Sequence, residues 1–157
     1  MRVALVTGGG RGIGRAIALA LGGPDTFVAV AGRTMSHLQS AAVEIESLGG
    51  RSLAIEMDVT SESSVADAVA RLRDAAGHVD VLVNNAGIGG GEPIAGSDIA
   101  RWRRTIDTNL TGIYLVTREV THRMPPRSPA RPTTSVAANP WTRCELANIA
   151  WRFLNRC

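Results

Sequence analysis

The stretch TGGGRGIG, residues 7–14, decides how the rest of the chain is read. An apolar β-prone run, RVALVT at 2–7, leads into it. Ile13, Ala16, Ile17, Leu19 and Leu21 follow with helical spacing as far as Gly22 and Gly23. Strand, glycine turn and helix in that order form the context of a phosphate-binding turn. Glycines let the backbone turn tightly and approach a pyrophosphate, which then lies at the positive end of the helix. The spacing is Gly8-x-x-x-Gly12-x-Gly14, on which the Gly-x-Gly-x-x-Gly of other dinucleotide folds cannot be laid.

Downstream the same alternation repeats. TFVAVA at 26–31 reads as a second buried strand, and Leu38, Ala41, Ile45 and Leu48 mark one face of a helix closed by Gly49 and Gly50. RSLAIEM at 51–57 reads as a third strand, the least apolar. Thr60 or Ser61 can cap the next helix, whose buried stripe is Val65, Val69, Leu72 and Ala76. VDVLV at 79–83 is a fourth strand. Trp102, Ile106, Leu110, Ile113 and Val116 then space out a long helix to about residue 122. Strict alternation of apolar strands and helices predicts an α/β, doubly wound parallel sheet with right-handed crossovers.

The pattern ends near residue 122, and two regions are expected: 1–122, a dinucleotide-binding Rossmann-type half-domain, and 123–157, a largely irregular tail. The tail holds five of the seven prolines; Pro125, Pro126, Pro129 and Pro132 argue against helix or central strand in its first part. Only 144–155 has helical spacing, through Leu146, Ile149, Ala150 and Phe153. Charge divides at the same place. Residues 1–121 carry 11 arginines against 13 acids, whereas 122–157 carry 6 arginines and only Glu145. The chain contains no lysine. A lysine-free chain suits a GC-rich coding sequence, and reading such a sequence out of frame yields arginine, proline and alanine. A frame break near 121–125 is therefore one reading of the tail. On it the sheet stops at the fourth strand, which becomes an exposed edge.

Four further elements agree with the glycine turn: Asp58–Val59 after the third strand, Asn84-Asn85-Ala86-Gly87 after the fourth, and Asn109 within DTNLTG on the long helix, with Thr7 opening the turn itself. In this order the chain resembles the short-chain dehydrogenase/reductase family over residues 1–121, and 3-oxoacyl and polyketide ketoreductases in its GIGGGEP and NLTGIYLVT stretches. The resemblance implies an oxidoreductase acting on a small carbonyl or alcohol, carrier-bound acyl groups included, and a homo-oligomer. It implies cofactor contacts at Thr7, Gly8, Arg11, Gly12, Ile13, Gly14, Asp58, Val59, Asn85, Ala86 and Gly87, with Asn109 as the catalytic asparagine.

Charge selects the cofactor. An acid about 20 positions beyond the glycine turn favours NAD; here the second strand ends in AGRT, with Arg33 and no acid from Val28 to Ser40. Arg11 is a second cation. Two guanidiniums suit a 2′-phosphate, so NADP(H) is expected.

The family's reaction also needs a serine and a tyrosine with a lysine four residues on. Tyr114 is the only tyrosine, and Tyr114–Arg118 copies that spacing on the wrong helix; packing against a neighbouring helix is its expected role. Ser135, in TTSVAA, faintly resembles the end of the family's serine strand, but its flanking prolines favour irregular backbone. The chain by itself is thus expected to be inactive. A non-catalytic nucleotide-binding module and a non-functional fragment remain as alternatives.

Cys144 and Cys157 match no redox or metal spacing, and His37, His78 and His122 share no ligand spacing, so no metal is expected. No run approaches a membrane span, no signal-peptide pattern opens the chain, and the tail lacks the aromatic interleaving of a nucleic-acid binder. A cytoplasmic protein with neither membrane nor nucleic-acid partner follows.

Overall fold

The computed structural model describes residues 1–89, 95–122 and 135–137. Its elements are β1 (Arg2–Thr7), α1 (Gly12–Leu21), β2 (Thr26–Gly32), α2 (Met35–Ser47), β3 (Arg51–Glu56), α3 (Glu62–Ala76) and β4 (Val81–Asn84). Then come α4 (Ile99–Ile106), a π-helical turn (Asp107–Thr111), α5 (Gly112–His122) and β5 (Ser135–Ala137). The strands lie in the order β3-β2-β1-β4-β5, all parallel, with Ala4 opposite Val28 on one side and Val81 on the other.

Burial explains the apolar runs. From Val3 to Thr7 and from Phe27 to Ala31 every residue is buried, because helices cover both faces of the sheet. On one face Val6, Val28, Val30 and Val83 pack under α1 and α2 through Ala18, Leu38, Ala41 and Ile45. On the other, Leu5, Ala29, Ile55 and Leu82 pack under α3 and α5 through Val65, Leu72, Val116 and Val120. Each fully buried Val, Leu or Ile side chain contributes about 1.5–3 kcal/mol. Of the two candidate caps of α3, Ser61 is the one used: its hydroxyl accepts the Ser64 N–H at 3.3 Å.

Three sequence expectations change. First, β4 is not an edge: β5 pairs with it in parallel register, Leu82 opposite Ser135 and Asn84 opposite Ala137. The sheet is one short strand wider than expected, and residues 135–137 are extended rather than irregular. An open parallel edge offers unpaired N–H and C=O groups, and the three β5 residues pair with the edge that β4 presents.

Second, the stripe expected along the long helix does not stay on one face. Trp102 and Leu110 are exposed, and the buried side is Gly112, Val116 and Val120. The π turn over 107–111 adds a residue to the helical turn and so shifts the register between α4 and α5. Third, Ile13 is 70% exposed while Gly14 and Ala18 face the sheet.

Among the described residues no helix is long and apolar enough to cross a membrane. The remainder of the tail, with its 144–155 spacing and both cysteines, lies outside the described residues, as do 90–94, which take in the last four residues of the GIGGGEP stretch.

Candidate functional site

Strand order reverses between β1 and β4, since the chain leaves β1 toward β2 and β3 on one side and returns to β4 on the other. The loops at the carboxyl ends of these strands diverge there and leave a crevice, the place where open parallel sheets bind ligands. A cavity of about 450 Å³ fills it.

Its floor is the glycine turn. Gly8 (φ +65°) and Gly12 (φ +55°) hold left-handed backbone that a side chain would strain. Gly14 has ordinary helical backbone but no room: a Cβ there would lie 2.3 Å from both the Gly8 carbonyl oxygen and Asn85 Nδ2. Helix α1 begins against this floor with no side-chain cap and no acid in its first turn. Its first amide N–H groups are therefore left for an anion.

Thr7 and Asn85 lock the floor to the β4 loop. The Thr7 hydroxyl oxygen accepts the N–H groups of Asn85 and Ala86, both at 2.9 Å, while its hydrogen is donated to the Val83 carbonyl at 3.4 Å. Asn85 Nδ2 donates back to the Thr7 and Gly8 carbonyls at 3.0 and 3.3 Å. Asn84, 3% exposed, donates to the Thr117 hydroxyl and so ties β4 to α5.

At one end of the cavity stand Arg11, Arg33, Thr34, His37 and Asp58. Asp58 accepts the Thr60 N–H and hydroxyl at 2.9 and 2.7 Å. These two bonds, with the nearby positive charge of Arg33, hold its carboxyl below the usual carboxylate range against the opposing effect of burial. At the other end lie Ala86, Gly87, Ile88 and Thr108. Asn109 fastens this end: its Oδ1 accepts the Ile88 N–H at 2.9 Å and its Nδ2 donates to the Ile88 carbonyl at 2.8 Å. Just after the π turn that carries Thr108 and Asn109, Gly112 lets the start of α5 lie against the loop that follows β3; a Cβ there would meet Val59 Cγ2 at 2.8 Å.

Of the residues singled out in the sequence, Gly8, Arg11, Gly12, Ile13, Gly14, Arg33, Asp58, Val59, Asn85, Ala86 and Gly87 line the cavity. Thr7 is buried directly behind it, and Asn109 braces its wall next to Thr108. Tyr114 does not line it. That side chain is 60% exposed, under the Arg118 guanidinium at 5.7 Å, and is not packed against a neighbouring helix as expected; Arg118 instead pairs with Glu62 of α3. Sequence reasoning missed Thr34, His37, Met57, Ile88 and Thr108. His37, in the first turn of α2 one position before the buried Leu38, reads by pattern as a surface position, and no local signal marks it.

The profile of a family described as short chain dehydrogenase matches residues 2–138. Short-chain dehydrogenase fogB of Aspergillus ruber is 36% identical over 154 residues, covering 94% of this chain and 56% of that protein. A 3-oxoacyl-[acyl-carrier-protein] reductase of Synechocystis is 39% identical over 124 residues, covering 78% of this chain and 50% of its own. A variant of actinorhodin polyketide ketoreductase, solved with NADPH, superposes with a TM-score of 0.73 at 39% identity, covering 76% of this chain and 46% of that one. The chain thus spans about half the length of the relatives it matches. The family match does not stop at 121–125, where the change of composition had suggested a break.

Proposed function

The chain belongs to the short-chain dehydrogenase family of oxidoreductases, and from that premise we propose that its crevice holds NADP(H) for ketone or 3-oxoacyl reduction, or the reverse alcohol oxidation. The observation that carries this reading is the convergence of an uncapped α1 N-terminus with Arg11 and Arg33 on one cavity. The cofactor's chemistry, when bound, is hydride transfer at the nicotinamide.

The residues present fit such a group. The turn over Gly8 to Gly12 and the first amides of α1 accept the pyrophosphate. Arg11 and Arg33 flank the adenosine ribose and pair with its 2′-phosphate. Asp58 and Val59 border the adenine. Asn85, Ala86 and Gly87 form the wall at the nicotinamide end, which Asn109 keeps in place through Ile88; this is where the family's catalytic asparagine acts. The substrate class is a small carbonyl compound, carrier-bound acyl groups included, by similarity to the 3-oxoacyl reductase and polyketide ketoreductase relatives.

A thermal melt with NADPH and NADH tests the cofactor reading. NADPH at 100 times its Kd is expected to add ~2.7 kcal/mol of stability, a rise of roughly 5–10 °C for a chain of this size. Arg11→Ala and Arg33→Ala should each weaken NADPH about tenfold or more and leave NADH nearly unchanged. Equal affinity for the two cofactors in the parent protein would sink the NADP(H) assignment.

A second reading, a nucleotide-binding module without turnover of its own, is supported by the absence of lysine from the chain and by the position of Tyr114 outside the cavity. NADPH binding with no oxidation of the cofactor across a panel of ketones would favour it. Turnover by the purified chain would exclude it.

A further inference from the structure

We propose that His37 is a specificity-determining contact for the 2′-phosphate, which makes that seat a three-residue site shared by Arg11, Arg33 and His37. This rests on the NADP(H) reading above and goes beyond it by adding a residue from a third segment of the chain.

Three elements converge there. Arg11 comes from the glycine turn, Arg33 from the residue that follows β2 and His37 from the first turn of α2, and all three line the same cavity. The position of His37 is set by packing on both sides. A Cβ on Gly10 would lie 3.0 Å from His37 Cβ and 3.3 Å from Leu38 Cδ2, so the first turn of α2 rests directly on the glycine turn. Leu38, 1% exposed, anchors that turn in the core, and the His37 N–H donates to the Thr34 carbonyl at 3.1 Å. Leu38 is buried while His37 is exposed, so His37 stands at the surface among the cavity-lining residues, next to the Gly10 that precedes Arg11.

The electrostatic surroundings favour an anion. The first turn of α2 carries no acid. Asp58 is the one carboxylate among the described cavity-lining residues, and it is already engaged by Thr60 and faced by Arg33. An imidazole presents a ring N–H donor in either tautomer and two when protonated. Beside a phosphate monoester it makes a charge-assisted hydrogen bond; beside the 2′-hydroxyl of NAD(H) it faces a neutral group and gains little. Discrimination between the two cofactors therefore depends on this side chain, in addition to the two arginines.

Calorimetric titration of the full chain with NADPH, NADH, 2′,5′-ADP and 5′-AMP tests this. For His37→Ala, about tenfold weaker binding of NADPH and 2′,5′-ADP is expected, with NADH and 5′-AMP within about twofold of the parent. His37→Arg should restore the preference, and His37→Glu should lower it further. Unliganded melts of each variant show whether the fold is intact. Two results overturn the proposal: an unchanged NADPH/NADH ratio in both His37→Ala and His37→Glu, or equal weakening of all four ligands, which marks a packing role. Arg11→Ala and Arg33→Ala separate this from the reading beneath it. If they reduce the ratio and the His37 variants do not, only His37 is wrongly assigned. If none of them moves the ratio, the 2′-phosphate seat itself falls.

Discussion

Replacing Gly14 with alanine probes the join between the glycine turn and the β4 loop. The added methyl would stand 2.3 Å from the Gly8 carbonyl oxygen and 2.3 Å from Asn85 Nδ2, where ordinary contact begins at 3.4 Å. Backbone cannot rotate away as a side-chain tip can, so α1 must slide off the turn by about an ångström or Asn85 must withdraw. Withdrawal forfeits its bonds to the Thr7 and Gly8 carbonyls, at about 1 kcal/mol each. Overpacking adds about 1–3 kcal/mol. Alanine recovers ~1 kcal/mol of helix propensity over glycine. The net loss is about 2–4 kcal/mol, a fall in Tm of roughly 5–15 °C. Thermal unfolding followed by circular dichroism measures it, with Gly96→Ala, where nothing lies within 4 Å, as the control. Nicotinamide-cofactor affinity should fall as well, because the displaced segment is the cavity floor. A Gly14→Ala protein that melts with the control and binds cofactor like the parent would refute the reasoning.

Two further outcomes follow from the same geometry. Thr7→Val keeps the shape but leaves the N–H groups of Asn85 and Ala86 without their acceptor; a loss of about 2–4 kcal/mol in urea denaturation is expected, while Thr7→Ser should recover most of it. The Asp58 carboxyl is held low by the Thr60 N–H, the Thr60 hydroxyl and Arg33, so its contribution is present above the unfolded value of ~3.9 and is lost as pH falls through the lower folded value. Between pH 5 and pH 2 the parent should therefore lose stability more steeply than Asp58→Asn, and parallel curves would show that Asp58 contributes nothing.

The dependence of each prediction on contacts between distant segments marks the boundary between what was legible in the chain and what was not. Local pattern was sufficient for β1 to β4 and α1 to α3, because a parallel sheet covered on both faces writes unbroken apolar runs such as VALV and FVAVA into the sequence. The glycine turn was legible for a related reason. Its left-handed residues and its close packing admit only glycine, and the cavity-lining residues around it lie next to strand ends that the pattern already located.

What the sequence hid depends on register and neighbours. The stripe from Trp102 to Val116 has helical spacing, yet the π turn shifts the register midway, and no local signal announced it. Residues 135–137 lie between prolines and look irregular alone; they become a strand because β4 presents an unpaired edge to them. His37 and Thr34 are surface positions by pattern, and only the folding of α2 onto Gly10 brings them beside Arg11. The sequence by itself thus determined the class of sheet, the phosphate-binding turn and the charges at its rim, all set by residues adjacent along the chain. Tertiary structure decided the fifth strand, the outward face of the long helix and the third residue at the proposed phosphate seat, since each arises from contact between segments that the sequence keeps apart.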